Sequence, residues 1–339
     1  MDVVDLKRVG KRYGVTAVIL TLSAYVLSRL ADPSEVVATF ANADPLPYLV
    51  GILFFYLTFP IRAVRWRVLL DGVDVDADVR SATIIILLNW FLNTLLPMKA
   101  GDFHRSVLTQ KNYGTTKATA LGTIAAERVV DLAVLATGLL VAMLVVIPQF
   151  TEFEFRIVLL AFGLLVVLGV GMLVIVFLDV SYLPGVMTGI VSNFRTGLMA
   201  ITSAREIGVI VAITVAMWGL NVVRMGFVAR SVGFDIALPM LVLIALLVAF
   251  LSGLPYTPAG IGVVEVVTTS VLVVGTGVSE STGLTFILFD RLITVGSLVV
   301  VGALVYTHFK LTSNLRFLAD VESDPGSDHE PDRTAETDS

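Results

Sequence analysis

Apolar runs that approach the ~20 residues needed to cross a bilayer recur along this chain, at 14–31, 46–62, 81–97, 118–147, 155–178, 207–229, 237–254 and 281–307. Polar residues come in short bursts between them. The pattern predicts an all-α, polytopic transmembrane bundle of about eight segments, with little room for a soluble domain.

Two runs end in backbone breakers. "NTLLPMKAGDFHR" (93–105) follows the third run and "SGLPYTPAGIGVVE" (252–265) follows the seventh. Each carries Leu-Pro, then Ala-Gly three or four residues after the proline. Each is followed, roughly 30 residues on, by an acid–arginine pair inside a helical pattern: Glu127-Arg128 and Asp290-Arg291. This is an internal repeat built on two broken helices.

Composition agrees with the membrane reading. The chain is 56% hydrophobic and 15% charged, against about 25% charged in soluble domains. Cysteine is absent, which excludes disulfides and thiolate chemistry. His104, His308 and His329 are too scattered for a metal cluster. No P-loop, nucleophile elbow or zinc motif is present, so the expectations are no catalytic residue, no cofactor, no metal and no nucleic-acid partner.

The net charge of −5 divides unevenly. Residues 320–339 hold eight acids against Arg333, and the remainder is net +2. Residues 1–319 therefore read as one integral membrane domain, and 320–339 as an acidic disordered tail. Arginine outnumbers lysine 17 to 6, which with that tail hints at a salt-loving source.

Loop charge sets the orientation. Lys7, Arg8, Lys11 and Arg12 place the N-terminus in the cytoplasm, and 14–31 reads as an anchor rather than a cleaved signal. The loop 32–45 holds Asp32, Glu35 and Asp44 without Lys or Arg, as expected outside. Arg62, Arg65, Arg67 and Arg80 mark the inside again. If 81–97 crossed fully, Lys99, Arg105, Lys111 and Lys117 would lie outside, against the rule. A re-entrant hairpin at 81–97 removes the conflict, and a second one at 237–254 gives six crossings; the alternative of eight full crossings also puts both termini in the cytoplasm. Under the re-entrant scheme the two copies of the motif have opposite orientations, an inverted repeat of the kind that builds transporter sites near the midplane.

Charges inside apolar segments face a partner or a cavity. Glu127 and Asp131 share a face at i,i+4, and Arg128 reaches Asp131 at i,i+3. Asp290-Arg291 is a second such site and Arg224 a third. Each acid–base pair is read either as a helix-to-helix lock or as part of a ligand site. Helices restarting after Gly101 and Gly260 present unpaired N–H groups suited to a phosphate, with Lys99, His104 and Arg105 as added donors. Glu265 caps its helix or accepts from a headgroup. "FPIRAVRWRVLL" (59–70) reads as interface anchoring through Arg62, Arg65 and Trp66, with headgroup contact as the alternative, and Asn89 and Asn93 as interhelical hydrogen-bond formers. Asp74, Asp76 and Asp78 resemble a metal–sugar-nucleotide motif, but their loop of about ten residues lacks the surrounding α/β domain and reads as an acidic surface loop.

Together, "NTLLPMKAGDFHRSVL…AAERVVDL" and "LPYTPAGIGVVE…FDRLITVGSLVVVGAL" resemble the transmembrane region of lysylphosphatidylglycerol synthase and its stand-alone, flippase-like relatives, over essentially all of 14–310. Asn93, Pro97, Gly101, Arg105, Glu127, Arg128, Pro258, Gly260, Gly262, Glu265 and Arg291 occupy pattern positions. Lys99, Asp102 and Ala259 depart from it mildly. The resemblance implies movement of a modified phospholipid or polyprenyl-linked (glyco)lipid between leaflets of the cell membrane. It also implies that lysyl transfer belongs to a separate soluble domain, which this chain is expected to lack. Related archaeal sequences fuse this region to polyprenyl-phosphate glycosyltransferases. The implied partners are thus an anionic or polyprenyl-phosphate lipid and a glycosyltransferase. The rival expectation is a non-transporting scaffold for that enzyme. The implied headgroup set is Asn93, Lys99, Gly101, Arg105, Glu127, Arg128, Asp131, Pro258, Gly260, Gly262, Glu265, Asp290 and Arg291.

Overall fold

The structure, a computed structural model, describes residues 33–96, 99–146, 163, 185–200, 203–253 and 258–311. The expected anchor at 14–31, nearly all of the segment at 155–178 and the acidic tail lie outside the described residues.

Among the described residues the regular structure is helical, without strands. A short helix α1 (Pro33–Asn42) leads into α2 (Pro45–Asp71), started by Asp44, whose carboxylate accepts from the Leu46 N–H. Then come α3 (Val79–Leu95), α4 (Ala100–Tyr113) and α5 (Lys117–Val146). After α6 (Gly185–Leu198), the chain continues as α7 (Ala204–Ser231), α8 (Leu238–Gly253), a single 3-10 turn at Pro258–Gly260, α9 (Val263–Thr276) and α10 (Glu280–Arg291). A π turn (Leu292–Ser297) joins α10 to α11 (Leu298–Leu311).

The helix lengths repeat. α2 to α5 have 27, 17, 14 and 30 residues. α7, α8 and α9 have 28, 16 and 14 residues, followed by a continuous helical span of 30 at Glu280–Phe309. Among the described residues, five helices are long and apolar enough to cross a membrane: Pro45–Asp71, Lys117–Val146, Ala204–Ser231, Pro258–Thr276 and Glu280–Phe309. The last-but-one includes α9, which is not among the expected apolar runs because Gly260, Gly262 and Glu265 stand at its start.

The two long opening helices run antiparallel. Asp44 N–H donates to the Ser231 carbonyl, Phe54 stacks on Phe227, Arg62 sits over Trp218 and Arg65 bonds Thr214. Equivalent helices of the two copies therefore point in opposite directions. Each copy's short apolar helix is seated on the other copy's long closing helix: Phe91 of α3 meets Gly302 and Tyr306, and Leu246 of α8 meets Gly138 of α5.

The first break is a hairpin. Asn93 bonds Asp102, and Tyr113 ends α4 beside Ser81 and Asp78, where α3 began. Close approach requires glycine at position 101, where a Cβ would lie 2.3 Å from the Asn89 carbonyl oxygen. α4 then turns at Gly114 and α5 runs back along it, with Arg105 paired to Glu127 and Arg128 to Asp102.

Polarity is inverted relative to a water-soluble domain. Leu46, Leu49, Leu53 and Leu57 form an exposed stripe on α2 at helical spacing, whereas Arg62 and Arg65 of the same helix are 4% and 2% exposed. This corrects the expectation that Arg62, Arg65 and Trp66 anchor at an interface: they point into the bundle. The acidic loop after α2 is used locally, with Asp71 and Asp76 near Arg67 and Asp78 capping α3 through the Ser81 N–H.

Candidate functional site

The sequence puts its breaks where the backbone must leave the helical region. Lys99, the residue that starts α4, adopts φ +55°, and Ala259 in the second break adopts φ +51°, both left-handed. Gly260 and Gly262 follow at +73° and +91°, values open to glycine at no steric cost. The two breaks touch. Lys99 Nζ donates to the Ser252 carbonyl at 2.8 Å, and Arg291 Nη1 donates to Ser252 Oγ at 3.2 Å.

On the first side of this contact, Asn93 ties the hairpin together. Its amide donates to Asp102 and to Asn89 Oδ1, and its Oδ1 accepts from the Gly101 N–H. Arg128 donates to both Asp102 oxygens, at 3.0 and 3.2 Å. That corrects the expected i,i+3 partnership with Asp131. The returning hairpin brings Asp102 to Arg128, and Asp131 goes to Arg65 instead, at 2.6 and 3.2 Å to its two oxygens.

Arg65 also donates to Thr214 and to Glu127. Glu127 in turn accepts from Arg105 at 2.7 Å, and the Arg105 guanidinium lies 3.9 Å from the Trp66 ring centroid. Four helices are joined by this one chain of charge-assisted bonds, each stronger than a neutral hydrogen bond. Glu127 and Asp131 share a face, as their spacing predicts.

On the second side, Glu265 is engaged twice. One oxygen accepts from the Gly262 N–H at 2.5 Å, the other from Arg291 Nε at 2.7 Å. Arg291 Nη2 also donates to the Ala259 carbonyl, freed by the break. Pro258 opens the 3-10 turn, and Gly260 is held against Ser252 and Leu251. Asp290 faces the other way and pairs with Arg224 of α7, so it joins α10 to α7 rather than entering the Arg291 group.

The same bonds recur between the copies. Arg65–Asp131 and Arg224–Asp290 are each separated by 66 residues, and Arg128–Asp102 and Arg291–Glu265 by 26. Sequence reasoning left Arg65 and Trp66 at a membrane interface and did not single out Ser252, Trp90 or Trp218. The signal was available in Arg65 and Arg224, each twenty residues beyond the start of its helix.

The backbone donors expected to be free for an anion are taken: Gly101 N–H by Asn93 and Gly262 N–H by Glu265. What the site offers instead is arginine edges. Among the described residues, the buried guanidinium atoms without a partner are Nε of Arg62, Arg65, Arg105 and Arg224, and Nη2 of Arg105. Such a set is rich in donors and poor in acceptors, the chemistry that accepts phosphate or carboxylate oxygens.

Comparison with known proteins places this arrangement among membrane proteins. Residues 14–302 match the model for the lysylphosphatidylglycerol synthase TM region. The chain is 23% identical to glycosyltransferase AglD of Haloferax volcanii over 93% of its own length and 58% of AglD's. It is 25% identical to a UPF0104 membrane protein of Methanocaldococcus jannaschii, covering 64% of this chain and 93% of that one. A UPF0104 membrane protein of Methanothermobacter thermautotrophicus is 22% identical over 86% and 93% of the two chains.

Proposed function

The chain belongs to the lysylphosphatidylglycerol synthase transmembrane-region family, and from that membership and the meeting of its two helix breaks we propose that it binds a lipid headgroup and carries it between leaflets. It is a multi-pass integral membrane protein of helical architecture. The lipid class is a modified phospholipid or a polyprenyl-linked (glyco)lipid. In this reading it sits in the cell membrane with both termini cytoplasmic and performs no group transfer itself.

One observation carries the reading. Antiparallel copies of one helical unit bring two broken helices together at Lys99 and Ser252, flanked by buried ion pairs from both copies. Broken helices meeting between inverted repeats are where secondary transporters hold substrate. Charges so placed are costly in lipid; those that persist are paired or face a cavity, and they commonly mark a substrate path. Lys99, Arg105, Arg128 and Arg291 supply the positive side of the headgroup site. Asn93, Glu127, Asp131, Glu265 and Asp290 hold them in place, and Gly101, Pro258, Gly260 and Gly262 shape the backbone around them. The test is leaflet exchange of a labelled lipid in vesicles containing the purified protein: acceleration over protein-free vesicles supports the proposal, and unchanged exchange rejects it.

AglD favours a second reading. Nearly all of this chain aligns with just over half of a protein named as a glycosyltransferase. This protein would then hold a polyprenyl-phosphate glycosyltransferase at the membrane without moving lipid. Co-purification of such an enzyme together with unaccelerated leaflet exchange is the result that selects it.

A further inference from the structure

Five arginines and four carboxylates are buried among the described residues. Arg65, Arg105, Arg224 and Arg291 each bond at least one of those carboxylates, while Arg128 and Asp102 close on each other. Arg62 is the odd cation. It is 4% exposed, its Nε is buried without a partner, and among the described residues its guanidinium makes neither an ion pair nor a hydrogen bond. The acids that act on it, Asp131 and Glu127, are already held by Arg65 and Arg105.

Its neighbours are aromatic. The Arg62 guanidinium lies 4.4 Å from the Trp90 ring centroid and 5.7 Å from that of Trp218. Trp218 Nε1 is itself a buried donor without an acceptor. Ring faces attract the cation but accept none of its in-plane N–H bonds, so Arg62 Nε and Trp218 Nε1 present donors that nothing among the described residues receives. Nor is this a residue reaching for the surface. Arg62 lies nine residues inside the end of α2, roughly 14 Å along the axis at 1.5 Å per residue.

We infer that Arg62, between Trp90 and Trp218, is the anchor for the phosphate group of the bound ligand, with Trp218 Nε1 as its second donor. A phosphate supplies the missing negative charge and fits the planar fork of a guanidinium. This assigns the anion to a different arginine from those at the helix breaks. It rests on the lipid-binding reading only for the source of the phosphate, a lipid headgroup rather than the free ion.

Trp90 and Trp218 flank Arg62, and the third tryptophan, Trp66, stands one turn further along α2 against Arg105, so intrinsic fluorescence reports on this region. The full chain in detergent would be titrated with dioctanoyl phosphatidic acid, dioctanoylglycerol and inorganic phosphate. Phosphatidic acid is expected to give a saturable change, dioctanoylglycerol none. Arg62→Gln is expected to raise the apparent Kd at least tenfold and Trp218→Phe by a smaller factor. Arg62→Gln should leave the lipid-free melting temperature unchanged or higher, because it removes an uncompensated buried cation. An equal response to inorganic phosphate supports the anion site and assigns it to the free ion. Equal responses to the two lipids, or unaltered phosphatidic acid affinity in both variants, overturn the inference. Should Arg62→Gln fail to fold, Trp218→Phe decides alone. Intact binding with no leaflet exchange rejects transport and keeps the site.

Discussion

Lys99 and Ser252, 153 residues apart in sequence, meet at 2.8 Å, ammonium to backbone carbonyl. The first starts the helix after the first break, and the second lies on the last turn before the other break. Ser252 also accepts from Arg291 through its hydroxyl. One residue therefore couples the two copies, and any motion that separates the breaks must release it.

Lys99→Met removes that coupling without changing the length of the side chain much. The expected loss is about 1.5–3 kcal/mol, the range for hydrogen bonds to a charged group. Chemical unfolding of the detergent-solubilised protein measures it, and an unchanged midpoint would show that the breaks are held together by packing alone.

Glu127 is shared by Arg65 and Arg105. Glu127→Gln leaves Arg105 without its carboxylate, while Arg65 keeps Asp131. Removing one partner of a buried pair costs about 3–5 kcal/mol. Adding Arg105→Met should recover part of the loss, and a double-mutant cycle in unfolding experiments reads that recovery as a coupling energy.

Two glycines at opposite ends of α4 should behave differently. At position 101 an added Cβ would meet backbone and side-chain oxygens of α3 within 3 Å, whereas at Gly114 nothing lies within 4 Å. Gly101→Ala is expected to cost about 3 kcal/mol or more by forcing the hairpin open. Gly114→Ala should cost only about 1–2 kcal/mol, the strain of a left-handed residue. Thermal unfolding of the two variants side by side checks the order.

Asp78 lies at the mouth of the hairpin, outside the apolar spans. The Ser81 N–H holds its carboxyl below the usual carboxylate range. A depressed folded pKa means that the cap stabilises above the unfolded pKa and is lost as pH falls through the folded value. Asp78→Asn, which keeps a capping oxygen, should therefore show a smaller loss of stability than wild type when pH is lowered below about 4.

If α3 and α4 form a re-entrant hairpin, residues at its two ends share one side of the membrane. The native chain has no cysteine, so single cysteines at Asp76 and Gln110, both exposed, are the only targets of an impermeant maleimide. Labelling from the same side is expected. Labelling from opposite sides would mean that α3 crosses alone.

Much of this was legible in the chain, for identifiable reasons. Pro and Gly mark the breaks because few other residues tolerate the backbone there, and the acid–arginine pairs mark buried sites because unpaired charges are costly in lipid. Glu127 and Asp131 share a face by helical spacing alone. The partner of Arg128 was not legible, since a local i,i+3 acid competes on paper with Asp102, which only the hairpin return brings close. Arg62 and Arg65 were misread because a basic helix end with tryptophan is the ordinary pattern for an interface. The stripe of Leu46, Leu49, Leu53 and Leu57 fixes the lipid-facing side of α2, and the arginines lie off it.

The central claim is that the meeting point of the two breaks moves a lipid headgroup. Its most direct test is leaflet exchange of a short-chain labelled anionic lipid in vesicles carrying wild type or the Lys99→Met variant. The account predicts faster exchange with wild type than in protein-free vesicles, and a return to the protein-free rate in the folded variant. Exchange no faster with wild type than without protein would contradict it.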